Sequence, residues 1–206
     1  MTQATLTPKA TATRQHILET GHALVLQKGF SGLGLQEILK NSGVPKGSFY
    51  HYFASKEAFG TALLQHYVEN YAERLSQLLA APATGHDRLM RYFRAWLHDP
   101  VDVSRPGWAE DCLVVKLSAE VADLSEDMRL VLQGGVGRLI DRTAALIIEG
   151  RGDRSLTDGA DPARLAQVIY QMWLGAALLA KLTRSPAPMQ AALSATETLL
   201  ACPGQP

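Results

Sequence analysis

Apolar residues recur along the chain at spacings of three and four, and strict alternation is almost absent. That spacing gathers them on one face of a helix, so the chain reads as all-α. Thr13–Lys28 sets Ile17, Ala23, Leu24 and Leu26 roughly on one face, and Gly29 offers a stop. Leu35–Asn41 is short and amphipathic, ended by Ser42 and Gly43. Pro45 suits the first position of a second short helix that runs through about Tyr52. Ser55 then caps a long helix to about Ala80, with Glu57 in its first turn. Pro82 and Gly85 break the chain. His86–His98 follows, then a loop over Asp99–Gly107. Trp108–Val121, Ser125–Glu149, Pro162–Arg184 and Pro188–Ala201 complete about nine helices, with a polar loop at Gly150–Asp161. Met1–Thr11 and Pro203–Pro206 read as frayed ends.

Texture changes along the chain. Residues 1–53 form three short helices with tight turns, and residues 54–206 form long helices rich in Ala, Leu and Gly. A head of one function and a larger body of another fit this division. A chain of 206 residues, 47% of them hydrophobic, can bury a sizeable core. Runs such as Ala176–Ala180 fall far short of the roughly 20 apolar residues that span a bilayer, so no membrane partner is expected. Met1–Thr13 has no apolar core of a secretory signal. Two cysteines, Cys112 and Cys202, make no disulfide framework, and a reducing cytoplasm is the expected location.

The net charge of zero hides an asymmetry. Residues 1–60 carry six Lys and Arg against three Glu, while the remainder carries fourteen basic against seventeen acidic residues. A small basic head on an acidic body suits a head that meets a polyanion, although an excess of three charges can also arise by chance.

The densest information lies in Leu35–Tyr52, LQEILKNSGVPKGSFYHY. Leu35, Ile38 and Leu39 give the first helix a core face. Gly43 permits a tight turn, and Val44 can plug the angle between the helices. The second helix presents Pro45, Lys46, Gly47, Ser48, Tyr50 and His51, with Phe49 and Phe53 turned to the core. This is the build of a helix-turn-helix, whose second helix enters the major groove of double-stranded DNA. Lys46 suits a phosphate or guanine, Gly47 a close backbone approach, and Ser48, Tyr50 and His51 phosphates or base edges. Lys56 could hold a further phosphate. A helical hairpin with a solvated face is the plainer alternative.

The stretch GFSGLGLQEILKNSGVPKGSFYHYFASKEAF, Gly29–Phe59, closely resembles the N-terminal signature of TetR-family transcriptional regulators. The resemblance implies an all-α homodimer, each subunit with a three-helix DNA-binding head and a ligand-sensing body, bound to a palindromic operator. CLVVKLSAEVADLSEDMR, Cys112–Arg129, and WLGAALLAKLTRS, Trp173–Ser185, resemble the NemR-like branch of that family. Regulators of that branch are repressors that sense reactive electrophiles and oxidants. The resemblance implies that Cys112 is the sensing cysteine and that Lys181 matches a lysine linked reversibly to the oxidised sulfur. Asp111 and Ala122 depart from the branch, which usually has a small residue at the first and sometimes a cysteine at the second.

From the residues themselves, Cys112 falls in the first turn of an expected helix, where the helix dipole favours an anion, with Lys116 one turn on. Glu110 and Asp111 oppose a thiolate, and a buried structural cysteine is the alternative. Cys202 reads as incidental. Trp108, Tyr170 and Trp173, with Trp96 and Met172, could line a ligand pocket or simply pack the core. Lys181 and Arg184 could hold an anion or form a solvated face. The six histidines show no metal-ligand spacing, and neither a metal nor a cofactor is expected. Leu174, Gly175, Ala177, Leu178 and Leu182 could form a dimer seam or the monomer's own core. The leading function is a DNA-binding repressor released when an electrophile or oxidant modifies Cys112. A repressor induced by a non-covalent small molecule is the alternative. A helical enzyme is remote, because no catalytic constellation or cofactor motif stands out.

Overall fold

The computed structural model describes residues 7–102 and 104–201. Among these, nine helices account for the architecture: α1 (Pro8–Lys28), α2 (Leu35–Ser42), α3 (Lys46–Tyr52), α4 (Lys56–Leu78), α5 (Gly85–Leu97), α6 (Leu113–Leu124), α7 (Glu126–Gly152), α8 (Pro162–Thr183) and α9 (Ala187–Leu200). The helix starts follow their capping residues. Ser55 accepts a hydrogen bond from the Ala58 amide at 3.0 Å, and Asp161 accepts one from Arg164 at 2.9 Å ahead of Pro162. Thr7 caps α1 through the Ala10 amide at 3.3 Å. Residues 8–11, expected to fray, are therefore helical. Pro45 precedes α3 as its cap residue rather than opening it. Cys202 and Pro203–Pro206 lie outside the described residues.

The chain divides into two compact units: Met1–Asn70 with Lys116–Gln133, and Tyr71–Val115 with Gly134–Pro206. In the first, α1 buries Ile17, Leu18, Gly21, Leu24 and Val25. The face differs from the expected one, since Ala23 is exposed and Leu18 and Val25 replace it. Phe49, Phe53 and Phe59 form a ring cluster with centroids 5.2–5.5 Å apart. Close approach of α1 to this cluster requires a glycine. A Cβ on Gly21 would lie 2.3 Å from Phe59 Cζ.

The second unit is organised around Trp173 on α8, which is fully buried. Its indole stacks on Phe93 at 4.9 Å and meets Trp96 edge-on at 5.9 Å. Its N–H donates to Thr196 of α9 at 2.8 Å, so the polar edge of a large apolar group is satisfied inside the core. By length and composition α8 is apolar enough to cross a membrane, which short apolar runs did not suggest. Trp173, Ile169 and Ala166 on one of its faces are core residues.

The helix expected over Trp108–Val121 begins five residues later. Trp108 N–H donates to Ala95 O at 2.9 Å, and His98 bridges Pro106, which pins the segment along the end of α5. A Cβ on Gly107 would lie 2.2 Å from Trp96 O, so the contact is backbone to backbone. Trp108–Asp111 is therefore a turn, and Cys112 is the residue before α6.

Candidate functional site

The helix-turn-helix of the first unit is built as its residues dictate. Gly43 adopts the left-handed conformation, φ 66° and ψ 21°, and its N–H donates to Leu39 O to close α2. The Val44 N–H donates to the same carbonyl at 3.3 Å, which sets the turn into Pro45. α3 then buries Phe49 and exposes Lys46, Gly47, Tyr50 and His51. Positions i, i+1, i+4 and i+5 share one helical face. Ser48 is half-buried beside it, and Pro45 is exposed at its start. The Lys46 ammonium lies 5.9 Å from the Tyr50 ring centre. A cation on an aromatic face, with an open glycine beside it, suits phosphate and base-edge contact.

Lys56 is placed differently from the phosphate contact expected of it. Its ammonium donates to Phe30 O at 2.9 Å and sits 4.7 Å from the centre of the Phe30 ring. It holds the α1–α2 turn. The same turn carries a contact that the sequence did not reveal. Glu120 on α6 accepts hydrogen bonds from the backbone N–H groups of both Phe30, at 3.1 Å, and Ser31. Burial pushes the Glu120 carboxyl up. The Ser31 hydroxyl, both amides and the Lys56 charge outweigh that and leave it below its ordinary value of 4.5. Nearby, Ser125 donates to Glu57 at 2.9 Å, joining the α6–α7 junction to the start of α4. The signal for Glu120 was hidden because its partners are backbone atoms some 90 residues away.

In the second unit Cys112 is 3% exposed, at the cap position of α6 rather than in its first turn. The phenols of Tyr92 and Tyr170 are close enough to feel a charge on its sulfur. Burial pushes Tyr92 up to about 12 against the lowering effect of its Tyr71 and Trp96 hydrogen bonds, with Cys112 adding to the rise, and burial, then Cys112 and Tyr92, raise Tyr170. Both therefore remain O–H donors at neutral pH. Such donors can stabilise a thiolate or the oxygen of a carbonyl compound under attack by it. Tyr92 also meets the Tyr71 hydroxyl at 3.3 Å. Lys181 comes from α8 to the turn before the cysteine, donating to Glu110 O at 2.8 Å. Glu110 and Asp111 carry exposed carboxylates, and Lys116 is exposed one turn into α6. Trp108, Tyr170 and Trp173 are all buried and ring-packed, Trp108 beneath the Arg74 guanidinium at 4.5 Å. None of the three lines the cavity of about 460 Å³ that opens beside Lys181.

An all-helical chain with this head defines a transcriptional regulator of the helix-turn-helix type. Residues 17–63 match the family described as "Bacterial regulatory proteins, tetR family", and residues 85–196 match "Tetracyclin repressor-like, C-terminal domain". The chain belongs to the TetR family of transcriptional regulators. It is 45% identical over 192 residues to the HTH-type transcriptional repressor NemR of Escherichia coli (strain K12), spanning 93% of this chain and 95% of that one. The crystal structure of E. coli NemR in its reduced form superposes with a TM-score of 0.83 at 44% identity, covering 94% of this chain and 100% of that one. A putative TetR/AcrR-family regulator of solved structure gives a TM-score of 0.83 at 54% identity, covering 93% and 100% of the two chains. The protein is thus a transcriptional repressor of the TetR family and a homologue of NemR.

The Glu120 clasp gives a signed pH prediction. A carboxylate whose native pKa is depressed contributes stability above its ordinary value, and that contribution is lost as pH falls through the native value. Wild type should resist urea better than Glu120→Gln at neutral pH. The gap should close as pH falls below the native pKa of Glu120, and a gap that stays constant across that range would show that the charge contributes nothing.

Proposed function

We propose that this repressor binds a palindromic operator as a homodimer and is released when an electrophile or oxidant modifies Cys112. The observation that carries the reading is the position of Cys112. It caps α6, the same helix whose Glu120 holds the two amides of the α1–α2 turn. Eight residues separate them, about 12 Å along a helix axis. Covalent change at Cys112 would alter the packing of a buried group on the helix that carries Glu120. A bias of a few kcal/mol between two head geometries suffices, because about 1.4 kcal/mol is tenfold in affinity.

The chemistry balances in both modes. In alkylation the Cys112 thiolate adds to the electron-poor carbon of an unsaturated carbonyl compound, an S–C bond forms, and the adjacent carbon takes a proton from solvent. In oxidation hypochlorous acid converts the thiolate to a sulfenic acid with release of chloride. The neutral Lys181 amine can then displace water to give an S–N bond. Lys181 already reaches the turn before Cys112. The thiol is buried, so either reagent enters by local opening of the Trp108–Asp111 turn.

The dimer reading rests on α8. Val168, Leu178, Leu179 and Leu182 are 47%, 57%, 50% and 78% exposed along one side of that helix, with Gly175 among them. Ala177 is buried and Leu174 half-buried, so these two serve the protomer's own core. An apolar stripe of this kind on a soluble regulator calls for a partner, and a two-fold copy supplies the same stripe. Dimer symmetry then matches operator symmetry. Residues 1–53 act as the operator-binding part and 54–206 as the sensing and dimerising part.

Lys46→Ala and Tyr50→Ala should each weaken operator binding while leaving the melting curve unchanged. Lys46→Ala should also flatten the salt dependence by roughly one unit. Wild-type affinity in both variants across a salt titration would refute the α3 face. Sedimentation of the wild type at micromolar concentration should give a dimer, and Leu182→Glu should shift it towards monomer, since the substitution places a charge in the seam. A wild-type monomer would end the dimer reading. N-ethylmaleimide should release wild type from DNA upstream of its own gene, measured by fluorescence anisotropy, and Cys112→Ser should bind that DNA and ignore the reagent. Release of Cys112→Ser to the wild-type extent would overturn the covalent switch.

A further inference from the structure

The cavity of about 460 Å³ in the second unit has a mixed lining, apolar at Trp96, Pro106, Ala109 and Met189 and cationic at Lys181 and Arg184. We infer that this cavity is a non-covalent binding site for an organic carboxylate with a flat apolar body. The inference does not depend on modification of Cys112, which does not line the cavity.

Three observations converge on the anionic end. The Arg184 guanidinium forms no ion pair or hydrogen bond among the described residues, so its donors are open. Lys181 donates one bond, to Glu110 O, and an ammonium has three donors. α9 starts at this wall, between Pro186 and Met189. Its dipole adds positive potential where Lys181 and Arg184 already stand. Ser185 accepts the Ala187 amide at 3.2 Å, which leaves its O–H to donate. Against these stands one carboxylate on the wall, that of Glu110.

The backbone at Arg184 points the same way. It takes the left-handed conformation, φ 51° and ψ 41°, as the C-cap of α8. Glycine fits such a cap without strain, whereas a residue with a Cβ is strained there. The arginine is held at a position its backbone does not favour, among the residues that line the cavity. The cavity size is within the range of small-molecule sites and admits a two-ring body with room for its carboxylate.

The test uses 2-naphthoate and its neutral isostere 2-naphthamide, titrated into the full-length wild-type protein by calorimetry. The acid should bind at least tenfold more tightly than the amide, and added salt should narrow the difference. Arg184→Gln should weaken naphthoate about two- to fivefold and leave naphthamide unchanged, the loss expected of an exposed charge pair. Glu110→Gln removes the opposing charge and should strengthen naphthoate. Arg184→Gly suits the left-handed backbone, so it should melt no lower than wild type yet show the same loss of naphthoate, which separates binding from folding. Equal affinity for acid and amide, absence of naphthoate binding at millimolar concentration, or wild-type naphthoate affinity in both Arg184 variants would overturn the site.

Discussion

A backbone amide that leaves water must find an acceptor, and the turn between α1 and α2 has such an amide at Phe30, followed by the exposed amide of Ser31. One side chain, Glu120, accepts both. That constraint organises the first unit. It decides why Lys56 turns inward to the Phe30 carbonyl and ring instead of standing free, since cation and carboxylate grip one turn from two elements. It also explains the lack of side chain at Gly60, where a Cβ would lie 2.6 Å from both Met128 Sδ and Phe30 Cζ. The turn, the start of α4 and the α6–α7 junction meet too closely there for any larger residue.

The parts of this fold that were legible in the sequence are those fixed by local chemistry. Gly43 takes the left-handed turn, Phe49 and Phe53 turn inward, and Lys46, Tyr50 and His51 face outward because a seven-residue helix has only one core face. Ser55 and Ser125 announce helix starts through hydrogen bonds made within three residues. The parts that were illegible depend on distant backbone. Trp108–Cys112 has a helix-compatible composition, and only the Ala95 and Trp96 carbonyls, a dozen residues back, hold it as a turn. Helical periodicity contains no record of those carbonyls. Glu120 is hidden for the same reason, because on its own helix it is one more surface acid.

This late start of α6 changes the chemistry of Cys112. In a first helical turn the thiol would point along a solvent-facing groove or into the core according to its phase. As the residue before α6 it lies at the junction between a pinned turn and the helix, buried with Tyr92 and Tyr170. A pinned turn resists displacement on one side, since Trp108 is anchored by its amide, by Tyr71 edge-on and by Arg74 across its ring. On the proposed reading, bulk added to the sulfur would therefore act on the α6 side.

Two small-molecule chemistries then meet around one lysine. In the covalent reading Lys181 serves as the amine that captures oxidised sulfur. In the cavity it serves as a cation, and the two roles compete because capture needs the neutral amine. On the proposed reading, a carboxylate bound beside Lys181 would compete with the Glu110 carbonyl for its ammonium. Occupancy of the cavity would then oppose sulfur–nitrogen bond formation without blocking alkylation, which needs no lysine. Oxidant sensing would be tied to the occupancy of the pocket, while the response to alkylators would be left to the thiol.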